Sequence, residues 1–180
     1  MFIKLAVPLA LVWLCAAGGP LSQTSPGAGP VIVLETAKGT IEFETYPDEA
    51  PKTVAQIVSL VQKAFYDGQR FHRAEPNFLI QVGDPTTRNM TMMESWGRNG
   101  SGKRIGVSEI TKKRRNVRGA VAIAYGGTDP RTADSQFYIL LEAHPDLDTR
   151  YTVFGRVITG MEVADKIQRT DVLRKAYVKE

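Results

Sequence analysis

The chain has 180 residues, of which 43% are apolar and 23% charged. That length holds one domain with its own hydrophobic core plus an extension, and the composition excludes a wholly disordered, collagenous or multi-span membrane protein. One cysteine excludes a disulfide framework within the chain, and a net charge of +4 from 23 basic and 19 acidic residues is too mild an excess to argue for a nucleic-acid partner.

The N-terminal stretch differs from the rest. Lys4 is the only charge before Val31, Leu5 to Leu14 is an almost wholly apolar run, and Ala16, Ala17, Gly18 and Gly19 follow it. So short a run cannot cross about 30 Å of hydrocarbon, so residues 1–19 read as a signal peptide with its cleavage zone. Cleavage there removes Cys15 and leaves a thiol-free mature chain, which suits an oxidising compartment. The expectation is an exported, periplasmic protein with no stable membrane insertion after cleavage; a retained leader acting as an anchor is the alternative. Residues 20–30, rich in Ser, Gly and Pro, read as a flexible tether, and the folded domain is expected over 31–180.

Val31 to Thr36 and Thr40 to Thr45 are β-rich runs joined at Ala37, Lys38 and Gly39. The second alternates Ile41 and Phe43 with Glu42 and Glu44, which predicts a hairpin with one wet face. Pro51 suits a first helical turn, and Val54, Ile57, Val58, Val61 and Phe65 recur at helical spacing until Asp67 and Gly68 stop the run. Strand-like runs follow at Phe78 to Val82, Ala120 to Ala124, Phe137 to Leu141 and Tyr151 to Val157. Met161, Ala164 and Ile167 suggest a second short helix, and Val172 to Val178 a closing strand. The predicted architecture is mainly β: about eight antiparallel strands closed into a barrel and capped by two α-helices.

Between Pro85 and Val117 apolar residues are sparse, and a loop this long in a small domain is functional or mobile. Its basic run, Lys112, Lys113, Arg114, Arg115 and then Arg118, reads as a solvated surface loop, the alternative being an electrostatic patch for an anionic membrane or an acidic client.

Several chemistries fail on the residues present. Only His72 and His144 could join acidic ligands around a metal, and no metal site is expected. No G-x-S-x-G elbow supports acyl transfer. Gly97 to Lys103 spells G-x-x-x-x-G-K, but Arg104 stands where Ser or Thr would hold Mg²⁺, and neither a buried strand nor an apolar helix flanks it.

What remains is F-H-R-A-E-P-N-F-L-I-Q-V-G-D-P at 71–85, D-S-Q-F-Y-I-L-L at 134–141, and Leu147-Asp148 followed by Tyr151-Thr152-Val153-Phe154-Gly155. In order and spacing, from about Val31 to Val178, these resemble the motifs of the cyclophilins, the peptidyl-prolyl cis-trans isomerases. The resemblance implies the barrel already predicted and an enzyme that needs no cofactor. It acts on proline-containing segments of unfolded or folding proteins, as a monomer. Arg73 matches the catalytic arginine. Phe78, Leu79, Tyr138 and Leu147 match the pocket for the proline ring. Gln81 matches a residue that orients the arginine or binds the substrate backbone, Gln136 a peptide-binding residue, and Ala124 and Tyr125 the segment that pairs with the substrate main chain. Tyr151 stands where the best-known eukaryotic members have histidine and could close the pocket wall. Tyr138 replaces a phenylalanine, Tyr125 an asparagine, Gly126 an alanine and Asp146 a tryptophan, departures that resemble bacterial cyclophilins. His72 reads as a structural, hydrogen-bonded residue. The rival reading is a non-catalytic cyclophilin-like module that binds peptides or acts as a chaperone.

Overall fold

A computed structural model of the protein describes Ser25 and residues 27–180; the leader expected over 1–19 lies outside the described residues. Among the described residues there are eight strands: β1 Val31–Thr36, β2 Gly39–Thr45, β3 Arg73–Glu75, β4 Leu79–Val82, β5 Ala120–Ile123, β6 Phe137–Leu140, β7 Val153–Thr159 and β8 Leu173–Val178. Two α-helices accompany them, α1 Pro51–Gln62 and α2 Met161–Ala164. The strands form one antiparallel sheet in the order β3-β4-β6-β5-β7-β2-β1-β8.

The closed barrel is corrected here: the sheet is a curled half-barrel, and its edge strands β3 and β8 do not pair. β3 runs for only 3 residues before the chain turns, too short for a second ladder. The gap beside it is spanned by a single bridge, Arg70 to Val172, and by turn hydrogen bonds such as Phe71 N–H to the Asp171 carbonyl at 2.9 Å.

The hairpin of β1 and β2 forms as its alternation predicts, with Ile32, Leu34, Ile41 and Phe43 buried. Its outer face is not wholly wet. Glu44 is fully buried, because the chain preceding β1 folds over it: Ser25 N–H donates to its carboxylate at 3.1 Å, the Ser25 hydroxyl bonds it too, and the Tyr46 hydroxyl donates at 3.2 Å. That end of the tether is also tied to β2 by the Gly29 N–H to the Thr45 carbonyl, at 2.6 Å.

α1 begins at Pro51, where the missing N–H is no loss. Ala50 supplies no side-chain cap; the Glu109 carboxylate does so from a distant loop, accepting from Lys52 N–H at 2.9 Å and Thr53 N–H at 2.8 Å. The helix ends at Gln62, earlier than Phe65. Ala64 adopts φ +54°, its N–H returns to the Val61 carbonyl, and Phe65 N–H reaches back to the Leu60 carbonyl. This is a Schellman termination with alanine in the position that usually carries glycine.

The main core lies between the curled sheet and α1. Phe43, Phe137 and Phe154 meet at centroid distances of 5.8 to 6.1 Å, and Tyr66 joins Phe137 at 5.5 Å while donating its hydroxyl to the Ser135 carbonyl. β5 and β6 are buried throughout, so their sequences are continuously apolar rather than alternating. Their other face carries a second cluster, Leu79, Ala120, Ala122, Tyr138, Leu140 and Val153.

The long loop after Pro85 contains 3₁₀ turns at Pro85–Arg88 and Met90–Ser95 and is stapled at two places. The buried Asp84 carboxylate accepts from the N–H groups of Thr86, Gly97 and Asn99, and Asp134 accepts from those of Ser101 and Gly102.

Candidate active site

Strand register assembles the site. In an antiparallel ladder directly opposed residues point to the same face, and the ladders place Arg73 opposite Gln81, Gln81 opposite Tyr138, and Tyr138 opposite Ala122. Arg73, Gln81 and Tyr138 therefore stand in one row across β3, β4 and β6, beside the second apolar cluster. Phe78 joins from the turn before β4, Ala124 and Tyr125 from the end of β5, Leu147 from a 3₁₀ turn at Pro145–Leu147, and Tyr151 from just before β7. All nine of these residues except Ala122, together with Leu79, line one cavity of about 170 Å³.

Its walls combine aromatic and aliphatic side chains with the polar Arg73 and Gln81. Tyr125 and Tyr151 lie 5.0 Å apart between ring centroids, and Tyr151 meets Tyr138 edge-on at 5.6 Å. The Tyr138 hydroxyl donates to Asn116 Oδ1 at 3.1 Å, and burial followed by neighbouring Tyr151 holds its pKa far above the usual phenol value. It is a neutral donor at any physiological pH.

Arg73 is the cationic group of the cavity. Its Nε donates to Glu75 Oε1 at 2.7 Å, and its guanidinium carbon lies 5.1 Å from the Phe78 ring centroid. The terminal nitrogens make no hydrogen bond among the described residues. Gln81, expected to orient the arginine or bind the substrate backbone, is not bonded to it: its side-chain N–H donates to Gln136 Oε1 at 2.9 Å. Gln136 in turn donates to the carbonyls of Gly97 at 2.9 Å and Asn99 at 2.7 Å.

Gln136 is the one expected site residue outside the first cavity. It lines an adjoining one of about 420 Å³ that shares Gln81, Ala124 and Tyr125 with the first and adds Arg98, Arg104 and Asp134. Gly83 makes this placement possible: at φ +117° its α-carbon sits against the chain of β6, where an added Cβ would meet the Ser135 carbonyl oxygen at 2.3 Å.

His72 is buried beneath this region, but not as the hydrogen-bonded residue expected. Neither ring nitrogen has a hydrogen-bond partner, because Asp84 spends its oxygens on backbone N–H groups and Gln136 on two carbonyls. Burial lowers its pKa, opposed only in part by the nearby charge of Asp84. Two residues that matter to the geometry, Glu75 and Asn116, were not identified from sequence. Glu75 had a signal, since residues two apart on a strand share a face; Asn116 had none.

The family described as cyclophilin type peptidyl-prolyl cis-trans isomerase/CLD matches residues 31–180. The human peptidyl-prolyl cis-trans isomerase-like 3 is 37% identical over 146 residues, covering 81% of this chain and 86% of the relative. A probable peptidyl-prolyl cis-trans isomerase of Brucella abortus is 37% identical over 161 residues, covering 87% of this chain and 82% of the relative. In fold, the chain is similar to a crystal structure of a cyclophilin type peptidyl-prolyl cis-trans isomerase of Cryptosporidium parvum, with a TM-score of 0.74 at 24% identity over 84% of this chain and 98% of that one. A half-barrel whose neighbouring strands set an arginine beside an aromatic cavity, matched over its full length by one family, has one assignment: the chain belongs to the cyclophilin-type peptidyl-prolyl cis-trans isomerases.

Proposed function

We propose that this isomerase turns X-Pro bonds in exported proteins as they fold, by a non-covalent mechanism in which Arg73 acts on a proline held in the apolar cavity. The supporting observation is the convergence of Arg73, Phe78, Leu79, Tyr138, Leu147 and Tyr151 on one small cavity. The Cryptosporidium parvum protein of the same fold has also been crystallised in the presence of the dipeptide Ala-Pro.

The barrier to rotation, about 18–20 kcal/mol, arises from resonance between the carbonyl and the amide nitrogen. Twisting the bond localises a lone pair on the proline nitrogen, so a donor aimed there stabilises the twisted state more than either planar one. The free terminal N–H groups of Arg73 are such donors, charged at any working pH and arranged as a rigid fork. The aromatic walls hold the ring while the residue before proline swings. No bond is made or broken.

An assay of cis-to-trans exchange in a proline peptide tests the mechanism. Arg73→Ala is expected to lower kcat/KM about 100-fold or more, the scale of removing a transition-state donor. A loss below about threefold would remove Arg73 from the catalytic step. Export rests on the apolar run from Leu5 to Leu14 and the small residues after it. Intact mass of the protein recovered outside the cytoplasm should lack the leader; a mass retaining it would favour a membrane anchor.

A further inference from the structure

The basic run of the long loop adjoins the proline cavity. Leu147 and Tyr151 line that cavity, while Asp148 and Thr149, between them in the chain, line another of about 210 Å³ with Lys112, Arg114 and Arg115. At about 3.3–3.6 Å per residue, a partition this short keeps the two within roughly 14 Å. The loop is fastened to it. Asn116, buried in the middle of the basic run, receives the Tyr138 hydroxyl on its side chain, donates its N–H to Asp148 Oδ1 at 2.7 Å, and accepts the His144 N–H at 2.7 Å.

The charge on this face is unbalanced. Lys112, Lys113 and Arg115 are exposed, and their side chains make no ion pair or hydrogen bond among the described residues. Of the nearby acids, Asp148 is engaged by Asn116, Glu49 by Arg114 at 3.0 Å, and buried Glu44 by Tyr46 with Arg156 at 3.8 Å; Asp48 and Asp146 are exposed, the latter beside His144 at 3.6 Å, and together they offset only part of the exposed positive charge. On its other side the loop borders a further cavity of about 230 Å³ lined by Lys113, Arg115 and Arg156 together with Val117, Ala120 and Val153. Val117 is 45% exposed, one of three large apolar side chains left in solvent among the described residues. Asn116 thus ties the basic loop to the hydroxyl of Tyr138, a residue that lines the proline cavity.

We propose that this face binds acidic stretches of client chains, selecting prolines that have carboxylates about three to five residues away, a distance that spans the partition. The inference rests on the isomerase reading above and names its preferred substrate. Cations held beside the site raise the local concentration of an acidic segment, so the preference acts on KM and is screened by salt.

The test compares two proline peptides, one carrying three Glu residues at that spacing and the other Gln at the same places, on the full chain and on Lys112→Gln/Lys113→Gln/Arg115→Gln. The wild type is expected to show about tenfold higher kcat/KM on the Glu peptide at low salt, through KM, falling towards equality near 1 M salt where the Debye length is about 3 Å. The triple variant should lose the preference while its kcat/KM on the Gln peptide stays within about twofold. Equal rates for both wild-type reactions, or a preference that survives in the variant, would overturn the proposal. Binding to phosphatidylglycerol vesicles without peptide preference would also overturn it and assign the loop to a bilayer surface. Turnover of the Gln peptide reports separately on the isomerase reading.

Discussion

Arg73 Nε and Glu75 Oε1 lie 2.7 Å apart, two residues along one face of β3. Both side chains are close to half exposed, at 41% and 49%, so the pair contributes little to stability. Its effect is orientational: Nε is occupied and the terminal donors are left towards the cavity.

Removing that carboxylate should therefore alter turnover more than binding. Glu75→Ala is expected to lower kcat about two- to fivefold with KM nearly unchanged, while Glu75→Gln, which keeps an acceptor, retains most of the rate. Equal effects of the two variants would show that only the charge matters. A change confined to KM would place Glu75 in substrate binding instead.

The Tyr138 hydroxyl and Asn116 give a stability prediction. In Tyr138→Phe the buried Asn116 Oδ1 keeps only its own amide geometry and loses its donor, which should cost about 1–2 kcal/mol in urea unfolding. The ring remains, so KM for a neutral proline peptide should change little. Unchanged stability would mean that another donor replaces the hydroxyl.

Buried His72 makes stability depend on pH. Its folded pKa is lowered, chiefly by burial, against about 6.5 in the unfolded chain. Between these values the unfolded state binds more protons, so stability is full above pH 6.5 and declines as pH falls from there through the folded pKa. The thermal midpoint of the wild type should drop between pH 6.5 and 5, and His72→Gln should flatten that slope. Identical slopes would assign the acid sensitivity to other groups.

Ala64 is a place where stability can be gained. Its positive φ costs an L-residue about 1–2 kcal/mol that glycine avoids, less the greater freedom of glycine in the unfolded chain. Ala64→Gly should stabilise the fold by about 0.5–1 kcal/mol in denaturant titration; destabilisation would show that the alanine methyl has a packing role.

The residues that mislead a reading of the sequence are informative in the same way. The periodicity from Val54 continues to Phe65 because Phe65 also packs on the core, although the helix has already ended through a turn that alanine does not advertise. β3 reads Arg-Ala-Glu and carries no apolar alternation, being a short edge with partly exposed residues. Glu44 looks like a wet position until the residues before β1 cover it. Whether the sheet closes depends on how residues near Arg70 meet those near Val172, which no local pattern records. The cavity was legible because all its walls but Ala124 and Tyr125 come from three short motifs. Glu75 and Asn116 escaped because their roles arise from what folding brings next to them.

An open sheet has a further consequence. Unpaired strand edges are templates on which another chain can add, and a protein that handles unfolded chains meets many candidates. Here one edge is only 3 residues long with Arg73 and Glu75 on it, and the other displays exposed Arg174 and Lys175. The charges proposed to act in catalysis at β3 thus also guard that edge against recruiting a strand, and their removal is expected to invite self-assembly as well as slow turnover.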